Sequence, residues 1–237
     1  MKISSDQRVV RSDKGRITFT PRDLFVQTWC GEQYAIRLDQ LKRLLGQDAQ
    51  RPTQEPGKVG TSTAQRVVRR WVTAGVVQSK YLIAREPPWI FLTSKGLREL
   101  QLPFRPYTPT VAMANHHYWI NQVRLWVEQQ YPADRWVSER WLLKEREGTA
   151  ANPLHVVDGE IHRSGIDDDE TIIAVEVELT IKGAQRSRRI MQELAERYDG
   201  IWYFTNAITH DAVCRTINSL SEEVRKLFRV RDLTQTH

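Results

Sequence analysis

The stretch Val175–Lys182, VEVELTIK, decides how the second half of this chain is interpreted. The four residues before it, TIIA (171–174), are apolar and mostly β-branched, so residues 171–180 are predicted to form a strand. Side chains alternate across a strand, which places Glu176 and Glu178 on one face, about 7 Å apart. Two carboxylates this close repel each other unless a cation lies between them. The strand therefore predicts a cation site near its carboxyl-terminal end.

A third carboxylate, Asp158, lies in a second predicted strand, residues 153–163. If the two strands pair, Asp158, Glu176 and Glu178 converge on one point, and three hard oxygen ligands suit one or two Mg²⁺ (or Mn²⁺) ions. Lys182, just past the strand, would then orient a water molecule or stabilise a developing phosphate charge. These four residues are the predicted catalytic set, and the three carboxylates are the predicted metal ligands.

Each of these residues also has a structural alternative. Asp158 can cap the turn that the following glycine makes, and Lys182 can simply begin a helix. The two glutamates can form a solvated ionic face with arginines of the next predicted helix (Arg186, Arg188 and Arg189).

Two histidines and two glutamates on the preceding elements are weaker candidates. His116 and His117 either help to position a substrate or are satisfied structural histidines, and the structural role is the expectation. Glu128 and Glu139 would at most reach the edge of the metal site.

The predicted elements of this half follow the order α-β-β-β-α-β. They are a helix at 111–131, strands at 135–143, 153–163 and 171–180, a helix at 182–198 and a strand at 200–205. The segment SGIDDDE (164–170) predicts an acidic turn, and residues 206–237 are expected to be helical at least in part.

The first half of the chain is basic. Residues 1–105 contain 19 Lys and Arg against 9 Asp and Glu, whereas residues 106–237 contain 16 against 20. This asymmetry predicts attraction of the first half to a polyanion, although a solubilising surface explains the charge alone equally well. The predicted elements here are helices at 20–29, 37–45 and 61–75, a loop at 46–60, strands at 76–84 and 88–93, and a helix at 94–100.

Three helices, a hairpin and a further helix are the order of a winged helix-turn-helix domain. The third helix, capped by Thr61 or Ser62, would lie in the major groove, and the hairpin would contact the DNA backbone. The predicted DNA-binding residues are Thr63, Gln65, Arg66, Arg69, Arg70, Lys80, Arg85 and Lys95. The alternative is a protein-docking module, since winged helices also serve in that role.

The domain organisation follows from these elements. Residues 1–105 are predicted to form the winged-helix domain, and 106–110, within the proline-rich LPFRPYTPT, the linker. Residues 111–220 would form the α-β-β-β-α-β domain and 221–237 a C-terminal helix or tail.

The second half resembles the PD-(D/E)XK nuclease superfamily, whose core is an α-β-β-β-α-β unit. Its motif, an Asp on the second strand followed by (Asp/Glu)-x-Lys on the third, corresponds here to VVDGEI and VEVELTIK. Glu178 stands where the motif lysine is expected, and Lys182 follows four residues later; members with Glu-x-Glu or with a displaced lysine are known. The resemblance implies a restriction-endonuclease-like fold and Mg²⁺-dependent phosphodiester hydrolysis.

The whole chain, over roughly residues 20–220, resembles the replication-relaxation family of plasmids and other mobile elements. That family joins a winged helix to a PD-(D/E)XK-like domain. The resemblance rests on the order of the motifs GVV…FLTSKG, NHHYWINQVR, SERWL, VDGEI, EVELTIK and YDGIWYFT.

Composition limits the class of protein. The chain has 237 residues, 40% hydrophobic and 27% charged, which favours a globular protein. No apolar run approaches the roughly 20 residues that cross a bilayer, and no secretion signal is evident, so a cytoplasmic protein is expected. The cysteines, Cys30 and Cys214, lack zinc-ligand spacing and are expected to be free thiols, with a disulfide as the alternative.

The sequence therefore predicts a metal-dependent DNA endonuclease, or a nuclease-like DNA-processing factor, of a mobile genetic element. Its expected partner is double-stranded DNA, with other replication, transposition or mobilisation proteins and a second copy of the chain as further candidates. A non-catalytic DNA-binding regulator or recruitment factor is the alternative, and an RNA-directed or defence nuclease is a third.

Overall fold

The computed structural model describes residues 18–47, 57–147, 155–165 and 169–236. Parts of the predicted loop 46–60, the predicted turn 164–170 and the predicted strand 153–163 lie outside these residues. The helices are Pro21–Glu32 (α1), Leu38–Gln47 (α2), Thr61–Thr73 (α3), Ser94–Glu99 (α4), Val111–Gln130 (α5), Glu139–Glu145 (α6), Ala184–Ala195 (α7), His210–Asn218 (α8) and Glu222–Arg225 (α9). The strands are Ile36–Arg37 (β1), Val77–Lys80 (β2), Trp89–Leu92 (β3), Arg135–Ser138 (β4), Gly159–Ser164 (β5), Glu170–Glu178 (β6), Gly200–Thr205 (β7) and Phe228–Asp232 (β8). Within the described ranges no helix has the length and apolar character needed to span a membrane.

Helix α1 begins where the sequence predicts and is tied to α3 at that end. Thr20 accepts a hydrogen bond from the Asp23 amide (3.2 Å), and Asp23 accepts one from the Thr20 amide (2.8 Å), which forms a capping box. Pro21 occupies the first turn. The buried Asp23 carboxylate also accepts from Trp71 Nε1 (3.0 Å) and pairs with Arg70. One carboxylate thus caps α1 and holds α3 against it.

Helix α3 lies where it is predicted, but the predicted cap is wrong. Gly60 is the N-cap residue in an extended conformation and makes no side-chain cap bond, so Thr61 and Ser62 fall inside the first turn. The apolar side of the helix, which includes Val67 and Trp71, is buried. After the helix, Gly75 adopts a φ of 73°, which favours glycine and turns the chain into β2.

The predicted hairpin is an antiparallel pair, β2 with β3, and a third strand extends it. The two-residue strand β1 pairs with β3, giving the order β1-β3-β2. Sequence periodicity cannot identify a strand of two residues. The sheet and helices α1 to α4 enclose one apolar core.

The second half is a five-stranded mixed sheet, so the whole chain has a mixed α+β architecture. Strands β4, β5 and β6 are antiparallel, and β6, β7 and β8 are parallel, in the order β4-β5-β6-β7-β8. Strand β8 was not predicted, whereas α8 and α9 agree with the helical expectation for the last segment.

Two strand predictions need correction. The strand predicted at 135–143 ends at Ser138, because Ser138 is the extended N-cap of α6 and Leu142 on that helix is buried in the core beneath the sheet. The strand predicted from 153 begins at Gly159, so Asp158 immediately precedes it. A Cβ on Gly159 would lie 2.2 Å from Cζ2 of Trp136, so this position needs a glycine for the close approach of β4.

The sheet separates two apolar layers. On one side, Val175 and Val177 pack with Phe204 and the residues of α5. On the other, Ala174 and Tyr203 pack with the apolar sides of α7 and α8. Alternation along β6 therefore directs Glu176 and Glu178 to the side of α7 and α8.

Helix α5 belongs to both halves of the molecule. Leu125 is part of the first-half core, Asn121 Nδ2 donates to the Ala35 carbonyl (2.9 Å), and Arg124 pairs with Glu32 (2.8 Å). The predicted linker, residues 106–110, has no regular secondary structure.

Candidate functional site

Strand register brings the predicted carboxylates to one region of the sheet. Gly159 pairs with Val175, so continuing the antiparallel register by one residue places Asp158 opposite Glu176. The Asp158 carboxylate accepts a hydrogen bond from the Val177 amide (2.7 Å), which fixes it against β6. Glu176 and Glu178 lie on the same face of β6 and are 4% and 7% exposed.

Each carboxylate has a partner that can carry positive charge. His116 Nε2 lies 3.0 Å from Asp158 Oδ1, and His155 Nε2 lies 2.7 Å from Glu176 Oε1. The Lys182 ammonium lies 2.7 Å from Glu178 Oε2. Within the described part of the chain these partners take the place of the helix arginines that the sequence offered as an alternative.

The carboxylates and their partners shift one another's pKa values. Burial raises the pKa of Glu176 to about 7, and the neighbouring Asp158 adds to the rise, while His155 opposes it. The pKa of His155 is raised chiefly by its hydrogen bond to Glu176. For Lys182, burial lowers the pKa, but the hydrogen bond to Glu178 and the other carboxylates outweigh burial and raise it.

Tyr203, on the adjacent strand β7, belongs to the same group. It pairs in register with Glu176 and is buried. Burial raises the pKa of its phenol well above the usual value, and the charges of Glu176, Glu178 and Asp158 raise it further. The phenol therefore stays protonated beside the carboxylates.

The weaker candidates divide between the site and the structure. The pKa of Glu139, on α6, is raised by burial and by Asp158, so Glu139 borders the site. Glu128 accepts from Trp29 Nε1 (3.0 Å) and binds Arg124, a contact between the halves. It is not part of the site.

The two adjacent histidines on α5 differ in role. Burial lowers the pKa of His116, but the hydrogen bond to Asp158 and its charge outweigh burial and raise it. His117 is buried beside Tyr107, whose hydroxyl lies 2.8 Å from its Nε2, and burial lowers its pKa to about 4. His116 thus contacts the candidate site, whereas His117 contacts Tyr107. Sequence reasoning missed His155, although its position three residues before Asp158 was the available signal.

No group of three or more His, Cys, Asp or Glu side chains in the described ranges is arranged to hold a metal ion. The assignment of Asp158, Glu176 and Glu178 as Mg²⁺ or Mn²⁺ ligands therefore stays a prediction. Their oxygen chemistry suits such an ion. The hydrogen bonds above use one oxygen of each glutamate, Oε1 of Glu176 and Oε2 of Glu178, and both oxygens of Asp158.

The predicted DNA-contacting side of α3 is largely open. Gln65, Arg66 and Arg69 are exposed and Thr63 is half-buried. A cleft of about 400 Å³ is lined by Thr63, Arg66 and Arg69 together with Ser62. Arg70 differs from the others because its guanidinium pairs with Asp23 of α1. Four of the five predicted α3 residues thus lie on an accessible surface, and the fifth serves the packing of α1 on α3.

The remaining predicted DNA contacts lie on or near the hairpin. Lys80 is exposed on β2, and Arg85 is exposed in the hairpin turn with a φ of 66°. Lys95 donates to the Ala74 carbonyl (2.8 Å) and lies 3.7 Å from Glu99.

The cysteines are both free thiols, Cys30 buried and Cys214 half-buried.

Comparison of this chain with protein-family models, with curated proteins and with solved structures gives no match.

Proposed function

We propose that the protein is a metal-dependent DNA endonuclease, or a nuclease-like DNA-processing factor, of a mobile genetic element. The observation that carries the proposal is the group formed by Asp158, Glu176, Glu178 and Lys182 at one end of β6, in which the Asp158 carboxylate accepts a hydrogen bond from the Val177 amide of that strand. Glu176 is buried and its pKa is raised to about 7, and perturbed pKa values of this kind cluster at functional sites. The resemblance to the replication-relaxation family supports the proposal that the protein belongs to a mobile element.

The topology around the group supports the nuclease-like assignment. Strands β4, β5 and β6 form an antiparallel meander, β7 joins β6 in parallel, and α5 and α7 cover opposite faces. With the short helix α6 inserted between β4 and β5, this order supports the α-β-β-β-α-β arrangement that the PD-(D/E)XK resemblance implies. Asp158 immediately precedes the second of these antiparallel strands and Glu176 lies near the end of the third, which is compatible with the positions of the motif acids.

The residues of the group have distinct roles in this proposal. Asp158, Glu176 and Glu178 would hold Mg²⁺ or Mn²⁺, which when bound supplies a hydroxide and shields phosphate charge. The Lys182 ammonium forms an ion pair with Glu178. In the proposal it stabilises the negative charge that develops on a scissile phosphate bound beside these carboxylates. Glu176, whose pKa burial raises to about 7, loses its proton as the pH rises through that value, so metal binding is expected to strengthen from pH 6 to pH 8.

The first half would bring the protein to duplex DNA. Its three helices and three-stranded sheet support the winged-helix assignment, and α3 offers Gln65, Arg66 and Arg69 to a groove. Lys80 and Arg85 on the hairpin would contact phosphates.

A plasmid-nicking assay with Mg²⁺ or Mn²⁺ tests the proposal. Asp158→Asn and Glu176→Gln are expected to reduce nicking to background while duplex binding, measured by fluorescence anisotropy, is retained. Glu160→Gln is the matched control. Glu160 is a buried carboxylate on β5 that lies on the same face of the sheet as Glu176. It accepts a hydrogen bond from the Tyr198 hydroxyl (2.7 Å), which is not part of the carboxylate group. Full nicking by both site variants would exclude the assigned site.

A second function, a non-catalytic DNA-binding regulator or recruitment factor, is favoured by the partners of the carboxylates. His116, His155 and Lys182 satisfy them without an ion. Calorimetric titration with Mn²⁺ separates the two functions: the nuclease should release or absorb heat that Glu178→Gln weakens. No heat, together with no cleavage of duplex, single-stranded or branched DNA or of RNA, would favour the regulator.

A further inference from the structure

A cavity of about 780 Å³ adjoins the carboxylate group, between α7 and α8. Its apolar wall includes Met191, Tyr203 and Val213, which are buried. Glu178 and Lys182 line it as well, so the cavity and the carboxylate group share a wall. Its volume falls within the range of about 300–1,000 Å³ that small-molecule sites occupy.

The cavity is cationic at its edge. Arg188 of α7 and Arg215 of α8 line it, and both are exposed, so two helices contribute a guanidinium in addition to the Lys182 ammonium. The first turn of α7 also lines it, and the N-cap Gly183 makes no side-chain cap bond, which leaves helix-terminal amides for an anion. An apolar wall with a cationic edge suits a ligand that has both an apolar and an anionic part.

We infer that this cavity receives one nucleotide of the DNA strand that the protein processes, with the phosphate near Lys182, Arg188 and Arg215 and the base against Met191 and Tyr203. This inference rests on the proposed function, because the shared wall places the bound nucleotide next to the assigned catalytic group. A purely apolar ligand would leave the cations without a role, and inorganic phosphate alone would leave most of the volume and the apolar wall unused.

Two exposed isoleucines support a strand of DNA as the source of the nucleotide. Ile181 lines the cavity in the loop before α7 and is 63% exposed, and Ile208, in the loop before α8, is 69% exposed. Ile208 lies one residue from Thr209, which lines the cavity. Apolar side chains at such a position can press against bases and unstack them, which a free nucleotide would not require.

Calorimetry with deoxyadenosine monophosphate, deoxyadenosine and inorganic phosphate tests the ligand class without metal. The monophosphate should bind most tightly, and Arg188→Ala and Arg215→Ala should each weaken it roughly tenfold, as expected for a charged hydrogen bond. Arg189→Ala and Arg225→Ala are the matched controls, because both arginines are exposed and lie outside the cavity lining. Equal effects of all four changes, or no binding of the monophosphate, would overturn the inference.

A single-stranded oligonucleotide with a central 2-aminopurine identifies the source. Its emission should change on binding, and Ala212→Phe, which fills the cavity from α8, should abolish that change, whereas Asn218→Phe, outside the lining on the same helix, should not. Binding of the monophosphate without any response of the oligonucleotide would overturn the assignment to a DNA strand.

These readouts separate this inference from the proposed nuclease activity. Metal-dependent nicking that requires Asp158 but is unchanged in Ala212→Phe, with no nucleotide bound, would overturn the cavity assignment alone. Nucleotide and oligonucleotide binding that Ala212→Phe abolishes, without any cleavage by the wild type, would support the cavity assignment while removing the nuclease.

Discussion

Glu176 is a buried carboxyl whose replacement by glutamine should change how stability depends on pH. The substitution Glu176→Gln removes the charge but keeps the size of the side chain. It also keeps an oxygen that can accept the hydrogen bond from His155 Nε2, which lies 2.7 Å from Glu176 Oε1 in the wild type. The variant therefore isolates the electrostatic contribution of the carboxylate.

The magnitude follows from the pKa of Glu176, which burial raises from 4.5 to about 7. Such a rise corresponds to about 3 kcal/mol. The folded protein retains this proton at pH values where the unfolded chain has released it. Its contribution is therefore fully present below about pH 4.5 and is lost as the pH rises through about 7. The pKa of His155 is also raised, so the pair as a whole loses stability in the same direction.

Urea unfolding followed by tryptophan fluorescence at pH 5 and pH 8 measures the effect. The free energy of unfolding of Glu176→Gln relative to the wild type should rise by about 2–3 kcal/mol between the two pH values, because part of the full difference is already lost at pH 5. Glu223→Gln, at an exposed position, serves as the control and should show no such difference. A Glu176→Gln difference that is the same at both pH values would refute the reasoning, because the wild-type carboxylate would then carry no burial penalty.

The remaining predictions concern the first half and the start of β5. Changing Arg66 and Arg69 to Ala should weaken duplex binding and reduce the slope of log affinity against log salt by about 2, measured by anisotropy; an unchanged slope would mean that α3 does not touch phosphates. Asp23→Ala should lower the free energy of unfolding by about 3 kcal/mol, measured in urea, since it removes the carboxylate half of the capping box and a buried charged acceptor. Gly159→Ala should cost about 1–3 kcal/mol in the same assay because its Cβ meets the Trp136 ring, and a neutral result would show that the ring can move.

Much of the fold was predictable because its signals are local. The Thr20 cap and the proline after it set the start of α1, and alternation along β6 set the face of Glu176. The errors arise where contacts between residues distant in sequence determine the secondary structure. Strand β1 exists because Ile36 pairs with Ile90, and α6 replaces half of a predicted strand because Leu142 finds its contacts in the core under the sheet.

The carboxylates of the candidate site and Lys182 were predictable from the sequence, but the contacts made by its histidines were not. Carboxylates are unusual on a mostly apolar strand, and a few residues of sequence suffice to show them. Glu176 and Glu178 could therefore be recognised as candidate site residues from the sequence. His116 and His155 are partners only because α5 and the segment before β5 meet the sheet at this point, and no local pattern marks that meeting. Arg70 shows the converse: helical spacing places it with the exposed arginines, but a buried carboxylate on α1 binds it.

The shared helix α5 has a consequence for how the two halves can act. His116 at its amino-terminal part contacts Asp158, while Asn121 and Arg124 further along bind the first half. An α-helix is stiff over such a distance, so a displacement of the first half on DNA would move His116 relative to the carboxylate it contacts. In the proposed function, α5 therefore provides a direct contact between the half that binds the duplex and the carboxylate group.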